Sequence, residues 1–301
     1  MAQKPDFETG VNYWANTEAS VDGVLGGYGE GTPVPRLDAT SSRLLILSLM
    51  PYLSNIVPPD STSSTPPRPQ KRTFRALDCG AGIGRVTSTV LLPLFDAVDL
   101  VEPVTSFVEQ AKDNADKGKE GWLALHPRTD HKGVEQPVKA ARIWRAGLQH
   151  FNPLAPATPV PTPSTANPSV ELFASLGNPQ TRFPQPDTPL DATEEGYDLV
   201  MIQWCIGHLS DEELADFLKR SQKALRRSKD GKVEGYIIVK ENTCKDTETD
   251  GRLFDDEDSS ITRSDAAFRS VFKQAGLRLL RREVQQGFPK ELFPVVAYAL
   301  Q

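Results

Sequence analysis

Four stretches of this chain carry residue types that can do chemistry. The first is Leu77-Asp78-Cys79-Gly80-Ala81-Gly82-Ile83-Gly84-Arg85. An apolar run stops at an acid and a glycine-punctuated turn, and a helical pattern follows at once. Glycines there let backbone close on a nucleotide-like ligand. The spacing is G-x-G-x-G, not the G-x-G-x-x-G that seats a pyrophosphate on a helix N-terminus. Asp78, two residues ahead of the first glycine, would repel a diphosphate and would suit a cationic amino acid or sulfonium. The turn therefore favours S-adenosylmethionine over NAD. The second stretch ends at Glu102, about 20 residues further on, where a carboxylate can accept hydrogen bonds from ribose hydroxyls.

The third is Ile202-Gln203-Trp204-Cys205-Ile206-Gly207-His208-Leu209, placed just after an apolar strand pattern, where open α/β sheets bind their ligands. The fourth follows Lys240-Glu241-Asn242 and is the acid run Asp255-Asp256-Glu257-Asp258-Ser259-Ser260. Each has a plainer reading. Glu102 can be an exposed acid at a strand end, Trp204 can be core, and His208 can cap a helix starting at Asp211. Charge runs are usually solvated faces, but this one follows a strand end on the ligand side and suits a cationic substrate. It lacks the ligand ladder of a calcium loop, so no metal is expected.

The elements that must position these residues alternate. Strand patterns at 74–78, 98–102, about 139–144, 197–203 and 236–240 are separated by helical patterns around 84–92, 105–115 and 211–226. In the 211–226 helix, Leu214, Phe217, Leu218 and Leu225 are the inward set. A further helix at 264–275 is closed by Gly276. Two last strands, about 277–284 and 293–300, have no helix between them and should pair as a hairpin. The expected fold is α/β and Rossmann-like, with a seven-stranded, mostly parallel sheet whose last strand is antiparallel. That layout is similar to class I methyltransferases.

Ahead of it, residues 1–52 read as an extension contributing to the substrate site. A glycine-rich bent loop or hairpin at 11–29 is followed by a helix capped by Asp38 and ending near Pro51. Residues 53–72 form a Pro/Ser/Thr-rich loop, and 73–301 form the catalytic domain. Ten of the 25 prolines fall in 152–193, which reads as a disordered surface insertion because the alternation resumes directly after it. The loop Gly147-Leu148-Gln149 follows the third strand, where an adenine would lie.

The net charge of −6 over 301 residues does not advertise nucleic-acid or anionic-membrane binding. Three separated cysteines without C-x-x-C pairing exclude a disulfide framework and a zinc site. No apolar run approaches transmembrane length, and the N-terminus lacks a signal-peptide core. A soluble cytoplasmic protein is expected, with a nuclear location left open and a monomer favoured.

Taken together, Tyr13-Trp14, Val21-Asp22-Gly23 with Leu25-Gly26-Gly27-Tyr28-Gly29, the Asp78–Arg85 turn, Gly147-Leu148-Gln149, Gln203-Trp204 with Gly207-His208-Leu209, Lys240-Glu241-Asn242 and Asp255–Arg263 resemble the α-N-terminal protein methyltransferases, which act on X-Pro-Lys/Arg N-termini. The resemblance implies S-adenosylmethionine as methyl donor, with S-adenosylhomocysteine as product. It implies cofactor contacts from Gly80, Gly82, Arg85, Glu102, Gly147, Leu148, Gln149 and Gln203, with Arg85 on the methionyl carboxylate. Family members often carry Asp where this chain has Glu102. Tyr13, Trp14 and Trp204 would wall the pocket of the second-position proline, Asn242 would hold the substrate's N-terminal end, and Asp255, Asp258 and Ser260 would hold the third-position Lys or Arg. His208 or Asp258 would take the proton. Two other readings stay open at this stage: a small-molecule N- or O-methyltransferase on the same fold, and a non-catalytic cofactor-binding partner protein.

Overall fold

The apolar runs of the alternating region form buried strands because helices cover both faces of the sheet they enter. The structure, a computed structural model, describes residues 3–54, 72–130, 132–162, 165, 168–181 and 183–301. The loop expected at 53–72 lies almost wholly outside the described residues.

Three helices precede the sheet: α1 (Phe7–Ala15), a single turn α2 (Val21–Val24) and α3 (Val34–Leu49). Then follow β1 (Arg75–Cys79), α4 (85–94), β2 (Ala97–Glu102), α5 (Thr105–Asp116), β3 (Ala140–Arg145) and β4 (Glu171–Gly177). Next are β5 (Leu199–Gln203), α6 (Asp211–Ala224), β6 (Tyr236–Cys244), β7 (Arg252–Asp255), β8 (Ser260–Ser264), α7 (Asp265–Gln274), β9 (Leu279–Val284) and β10 (Val295–Leu300). The main sheet runs β9-β10-β6-β5-β1-β2-β3-β4, with β8 alongside the end of β6 and β7 alongside β8. The central five strands are mutually parallel, while β10 is antiparallel to both β6 and β9.

Alternate side chains serve two cores. Ala76, Val98, Leu100 and Met201 pack with α3, α4 and α5. Leu77, Val101, Val200 and Ile202 pack with α6 and α7. The strand order reverses between β1 and β5, so the carboxyl ends of the central strands open a crevice there.

Several expectations need correction. Among the described residues the sheet has ten strands, not seven. The tract 152–193 is not simply a disordered insertion, since β4 lies within it and pairs antiparallel with β3 from Ala140↔Gly177 to Arg145↔Glu171. The physical reason is that β3 would otherwise expose an unpaired edge. Flanking residues join the core: Phe151, Ala155 and Leu190 are buried, and Phe183 stacks on the Arg142 guanidinium. The acid run is a hairpin turn between β7 and β8. The N-terminal stretch at 11–29 is helical in part, in α1, which Asp6 caps by accepting from Thr9 N at 2.8 Å, and in α2, while Gly26 and Gly27 keep a bent loop at positive φ. Finally, α3 starts a turn earlier than Asp38, with Pro35 in its first turn. Asp38 is therefore not a cap but an interior residue with no exposed surface.

Among the described residues no helix is long and apolar enough to cross a membrane. Below the crevice, Asp99 on β2 binds three strands together. It accepts from Arg75 (3.0 Å), Arg142 (2.7 and 3.2 Å), Trp144 Nε1 (2.9 Å) and the Tyr197 hydroxyl (2.9 Å). The two cations hold its carboxyl below the ordinary range despite full burial. Removing it would strand two buried guanidiniums. Asp99→Ala should lower folding stability by about 3–5 kcal/mol, read as a lower denaturant midpoint with an unchanged slope.

Candidate active site

A cavity of about 940 Å³, counting its open mouth, lies at the carboxyl ends of β1, β2 and β5. Its floor is the Gly80–Gly82 turn. Gly80 has φ +61°, and a Cβ there would stand 2.2 Å from the Cys205 Cβ, so no other residue lets the two loops approach this closely. One wall is Gly147-Leu148-Gln149, held by Arg220 of α6, whose Nη2 donates to the Leu148 and Gln149 carbonyls at 3.1 and 3.0 Å. The opposite wall is Gln203-Trp204-Cys205, and α1 roofs the cavity with Phe7, Gly10, Val11 and Trp14.

Glu102 lines the cavity at the end of β2. Its carboxylate accepts from Gly82 N at 2.8 Å and Val104 N at 2.9 Å, yet burial pushes its pKa up to about 7. Asp78 is different from its expected role. It does not line the cavity; it accepts from the Thr87 hydroxyl at 2.6 Å and so anchors the start of α4, with burial raising its pKa to about 6.

At the polar end lies an ion cluster that the sequence reading missed. The Asp38 carboxylate accepts from Arg85 Nη1 at 2.7 Å, Lys240 Nζ at 2.5 Å and Gln203 Nε2 at 2.9–3.0 Å. The desolvation that would raise its pKa is outweighed by the two cations, which hold it below the ordinary range. Arg85 also lies over the Trp204 ring at 5.5 Å.

Trp204 adopts φ +52°, a costly conformation for a bulky residue. Two buried ionisable side chains hold the turn that contains it. Glu241, its pKa pushed up to about 7 by burial, accepts from Cys205 N at 2.7 Å and Ile206 N at 3.1 Å. Arg263 donates to the Ile206 and Leu209 carbonyls at 2.9 and 2.5 Å. The same turn carries His208, whose Nε2 accepts from Trp14 Nε1 at 2.9 Å and lies 4.0 Å from Asp258 Oδ2. That bond requires a free lone pair on Nε2, so the imidazole is neutral with its proton on Nδ1. Burial lowers its pKa, against the opposing pull of Asp258.

The hairpin turn packs close by. Ser259 Oγ accepts from Asp6 N at 2.8 Å, tying α1 to the turn, and Ser260 lies against Gly207. Tyr13, edge-on to Trp14, has its phenol pKa raised by burial and then by Glu257, Asp258 and Asp255. Asp255 is exposed and accepts from Glu257 N at 2.9 Å.

Of the expected site residues, Gly80, Gly82, Arg85, Glu102, Gly147, Leu148, Gln149, Gln203, Trp14, Trp204 and His208 line one cavity. Tyr13, Asp255, Asp258 and Ser260 gather at its rim. Asn242 does not line it: the residue sits inside β6, opposite Val295 of β10, half-buried.

The cavity walls hold unpaired polar atoms. Gln149 Oε1, Gln203 Oε1, Trp204 Nε1 and His208 Nδ1 are buried without partners, at a cost of about 1–3 kcal/mol each. Such atoms converge where a polar ligand is to supply the missing hydrogen bonds.

Comparison with known proteins gives the cavity its chemistry. The profile of a family described as "AdoMet dependent proline di-methyltransferase" matches residues 2–157 and 183–301. The chain belongs to this family. It is an S-adenosylmethionine-dependent methyltransferase, and the unmatched segment includes β4. "Alpha N-terminal protein methyltransferase 1" of Arabidopsis thaliana is 34% identical, over 98% of this chain and 79% of the relative. "N-terminal Xaa-Pro-Lys N-methyltransferase 1" of Xenopus tropicalis is 32% identical over 96% and 92%. Among solved structures, an S-adenosylmethionine-dependent methyltransferase from Leishmania major superposes with a TM-score of 0.61 at 28% identity, covering 98% of this chain and 82% of that one.

Two outcomes follow from this geometry. Because burial raises the folded-state pKa of Glu102, the ligand-free methyltransferase gains stability from its protonation, and this is lost as pH rises through about 7. Any hydroxyl donor that a bound ligand brought to Glu102 would favour the carboxylate and lower that pKa. Binding of S-adenosylhomocysteine should release up to one proton, and affinity should rise with pH until about 7 and then level. Calorimetry in buffers of different ionisation enthalpy checks this, and Glu102→Gln should remove the proton release. Separately, a Cβ at Gly10 would lie 2.8 Å from His208 Nδ1. Gly10→Ala should therefore cut kcat by about 100-fold through displacement of the imidazole, with S-adenosylhomocysteine affinity little changed.

Proposed function

We propose that this methyltransferase acts on the α-amino group of proteins whose exposed N-terminus reads X-Pro-Lys/Arg. The observation that carries this reading is the His208–Trp14–Asp258 cluster, set between the cofactor cavity and an acidic hairpin turn. The names of the relatives from Arabidopsis and Xenopus point the same way.

The cavity residues fit the cofactor. Glu102 faces the place for ribose hydroxyls, with Gly147-Leu148-Gln149 beside the adenine. Arg85 takes the methionyl carboxylate, and the unpaired Gln203 Oε1 can accept from the methionyl ammonium. When bound, the cofactor supplies an electrophilic methyl group on a sulfonium.

The chain's own residues do the rest. Transfer to an amine is an in-line displacement, so holding the amine on line supplies much of the acceleration. The α1 roof covers the cavity with Phe7, Gly10, Val11 and Trp14. Proline at the second position brings no N–H that needs a partner, and it suits the aromatic faces of Trp14, Trp204 and Tyr13. The third-position cation meets Asp255, Asp258 and Ser260 at the rim, where a carboxylate offsets its partial desolvation.

The nucleophile must be the neutral amine, whose pKa is about 8. His208, kept neutral by burial, accepts the proton at Nε2. The Trp14 indole holds that lone pair in the ligand-free state, so the incoming amine replaces Trp14 as the donor. Asp258, 4.0 Å away, stabilises the imidazolium that forms.

Intact-mass kinetics with peptides beginning Ser-Pro-Lys, Ser-Ala-Lys and Ser-Pro-Glu test the specificity. Methylation of the first, with the other two far slower, is expected; equal methylation of all three, or of none, would contradict the proposal. His208→Asn should lower kcat by about 10²-fold or more, with cofactor affinity retained. Asp255→Lys with Asp258→Lys should abolish peptide methylation and leave S-adenosylhomocysteine binding intact. Loss of that binding in parallel would make the acidic turn a structural element instead.

A further inference from the structure

We infer that Asp38 is the positioning residue for the methionyl end of the cofactor: it fixes Arg85 and Gln203 in the orientation that receives the carboxylate and ammonium. This rests on the reading of Arg85 as the carboxylate partner.

Asp38 lies in α3, outside the sheet, and is fully buried. It is not among the residues that line the cavity, yet two that do, Arg85 and Gln203, donate to its carboxylate. One Asp38 oxygen, Oδ2, takes Arg85 Nη1 at 2.7 Å, and both oxygens take Gln203 Nε2. The amide orientation of Gln203 follows: with its nitrogen committed to Asp38, the carbonyl Oε1 is the atom left unpaired. Asp38 thus presents a donor, Arg85, and an acceptor, Gln203 Oε1, side by side. A zwitterionic α-amino acid group requires that combination.

The charges support the same conclusion. Asp38, Arg85 and Lys240 sum to one positive charge in a buried cluster. Lys240 is fully committed elsewhere: its Nζ reaches the Asp38 carboxylate and the Ser41 and Ser42 hydroxyls, at 2.9 and 3.1 Å for the latter two. Arg85 is the cation of this cluster that lines the cavity, so a bound carboxylate would find a guanidinium already oriented.

The test compares two ligands by calorimetry. S-adenosylhomocysteine carries the amino-acid end; methylthioadenosine shares the adenosine and thioether but lacks it. Arg85→Gln tests the underlying reading: it should weaken S-adenosylhomocysteine and spare methylthioadenosine, and an unchanged S-adenosylhomocysteine affinity would refute the placement of the carboxylate at Arg85. Asp38→Asn should weaken S-adenosylhomocysteine by about tenfold or more, the loss of one well-placed charge-assisted hydrogen bond, while leaving methylthioadenosine within about twofold.

Should Asp38→Asn alone fail to fold, the double variant Asp38→Asn with Lys240→Met removes one anion and one cation together and keeps the cluster at one positive charge. The same selective loss is expected in it, because Arg85 is again without its anchor. Wild-type affinity for S-adenosylhomocysteine in the double variant would mean that Asp38 supplies charge balance and not position. Equal weakening of both ligands would mean that it holds the fold alone. Either result overturns the inference.

Discussion

One buried carboxylate gathers the cofactor end of this molecule. Asp38 of α3 receives hydrogen bonds from Arg85, Gln203 and Lys240, residues from three separate stretches of the chain. A charge moved out of water is tolerable only when paired and hydrogen-bonded. Arg85 and Lys240 are both nearly buried at their side chains, so without Asp38 the sheet would close over two like charges. The N-terminal extension is therefore part of the catalytic body. Its docking sets one anion between the two cations at the strand ends that it covers, and α1 of the same extension lies over the cavity.

A second constraint governs the acceptor side. The turn from Trp204 to Leu209 includes a strained backbone and exposes His208 to the cavity. Glu241 holds its N–H groups and Arg263 its carbonyls. Neither residue lines the cavity: Glu241 is on β6 and Arg263 on β8. The strain at Trp204 is thus balanced by charge-assisted hydrogen bonds, and the ring is left with an unpaired indole N–H toward the cavity. The α1 roof is secured less firmly, through the Trp14–His208 bond and the Ser259 hydroxyl.

Much of this could be read from the chain because glycine spacing and strand–helix alternation are local signals. The turn Asp78–Arg85, the parallel strands and the closing hairpin all lie where their patterns placed them. Gly80, Glu102, Gln149, Gln203 and His208 converge because strand ends of a doubly wound sheet must converge. What stayed hidden depended on tertiary partners. Asp38 looks like a helix cap by composition, and only the docking of α3 shows it to be an interior ion-pair hub. Asp78 looks ligand-facing, but Thr87 one helical run later claims its carboxylate. Strand β4 carries no signal strong enough to stand out of a proline-rich tract, since it is recruited by the free edge of β3. In the sequence Glu241 stands out only as a neighbour of Asn242. In the structure it is Glu241 that braces the site, while Asn242 stays within β6 beyond the cavity wall.

On the proposed reading, the methyl group goes to an α-amine presented by an X-Pro-Lys/Arg terminus. The most direct measurement uses S-adenosylmethionine labelled at its methyl carbon, a Ser-Pro-Lys peptide and fragmentation mass spectrometry to locate the label. Label is expected on the N-terminal serine nitrogen alone, with the same peptide inert once its α-amine is acetylated. Label on the lysine ε-amine, or transfer that survives acetylation, would contradict it.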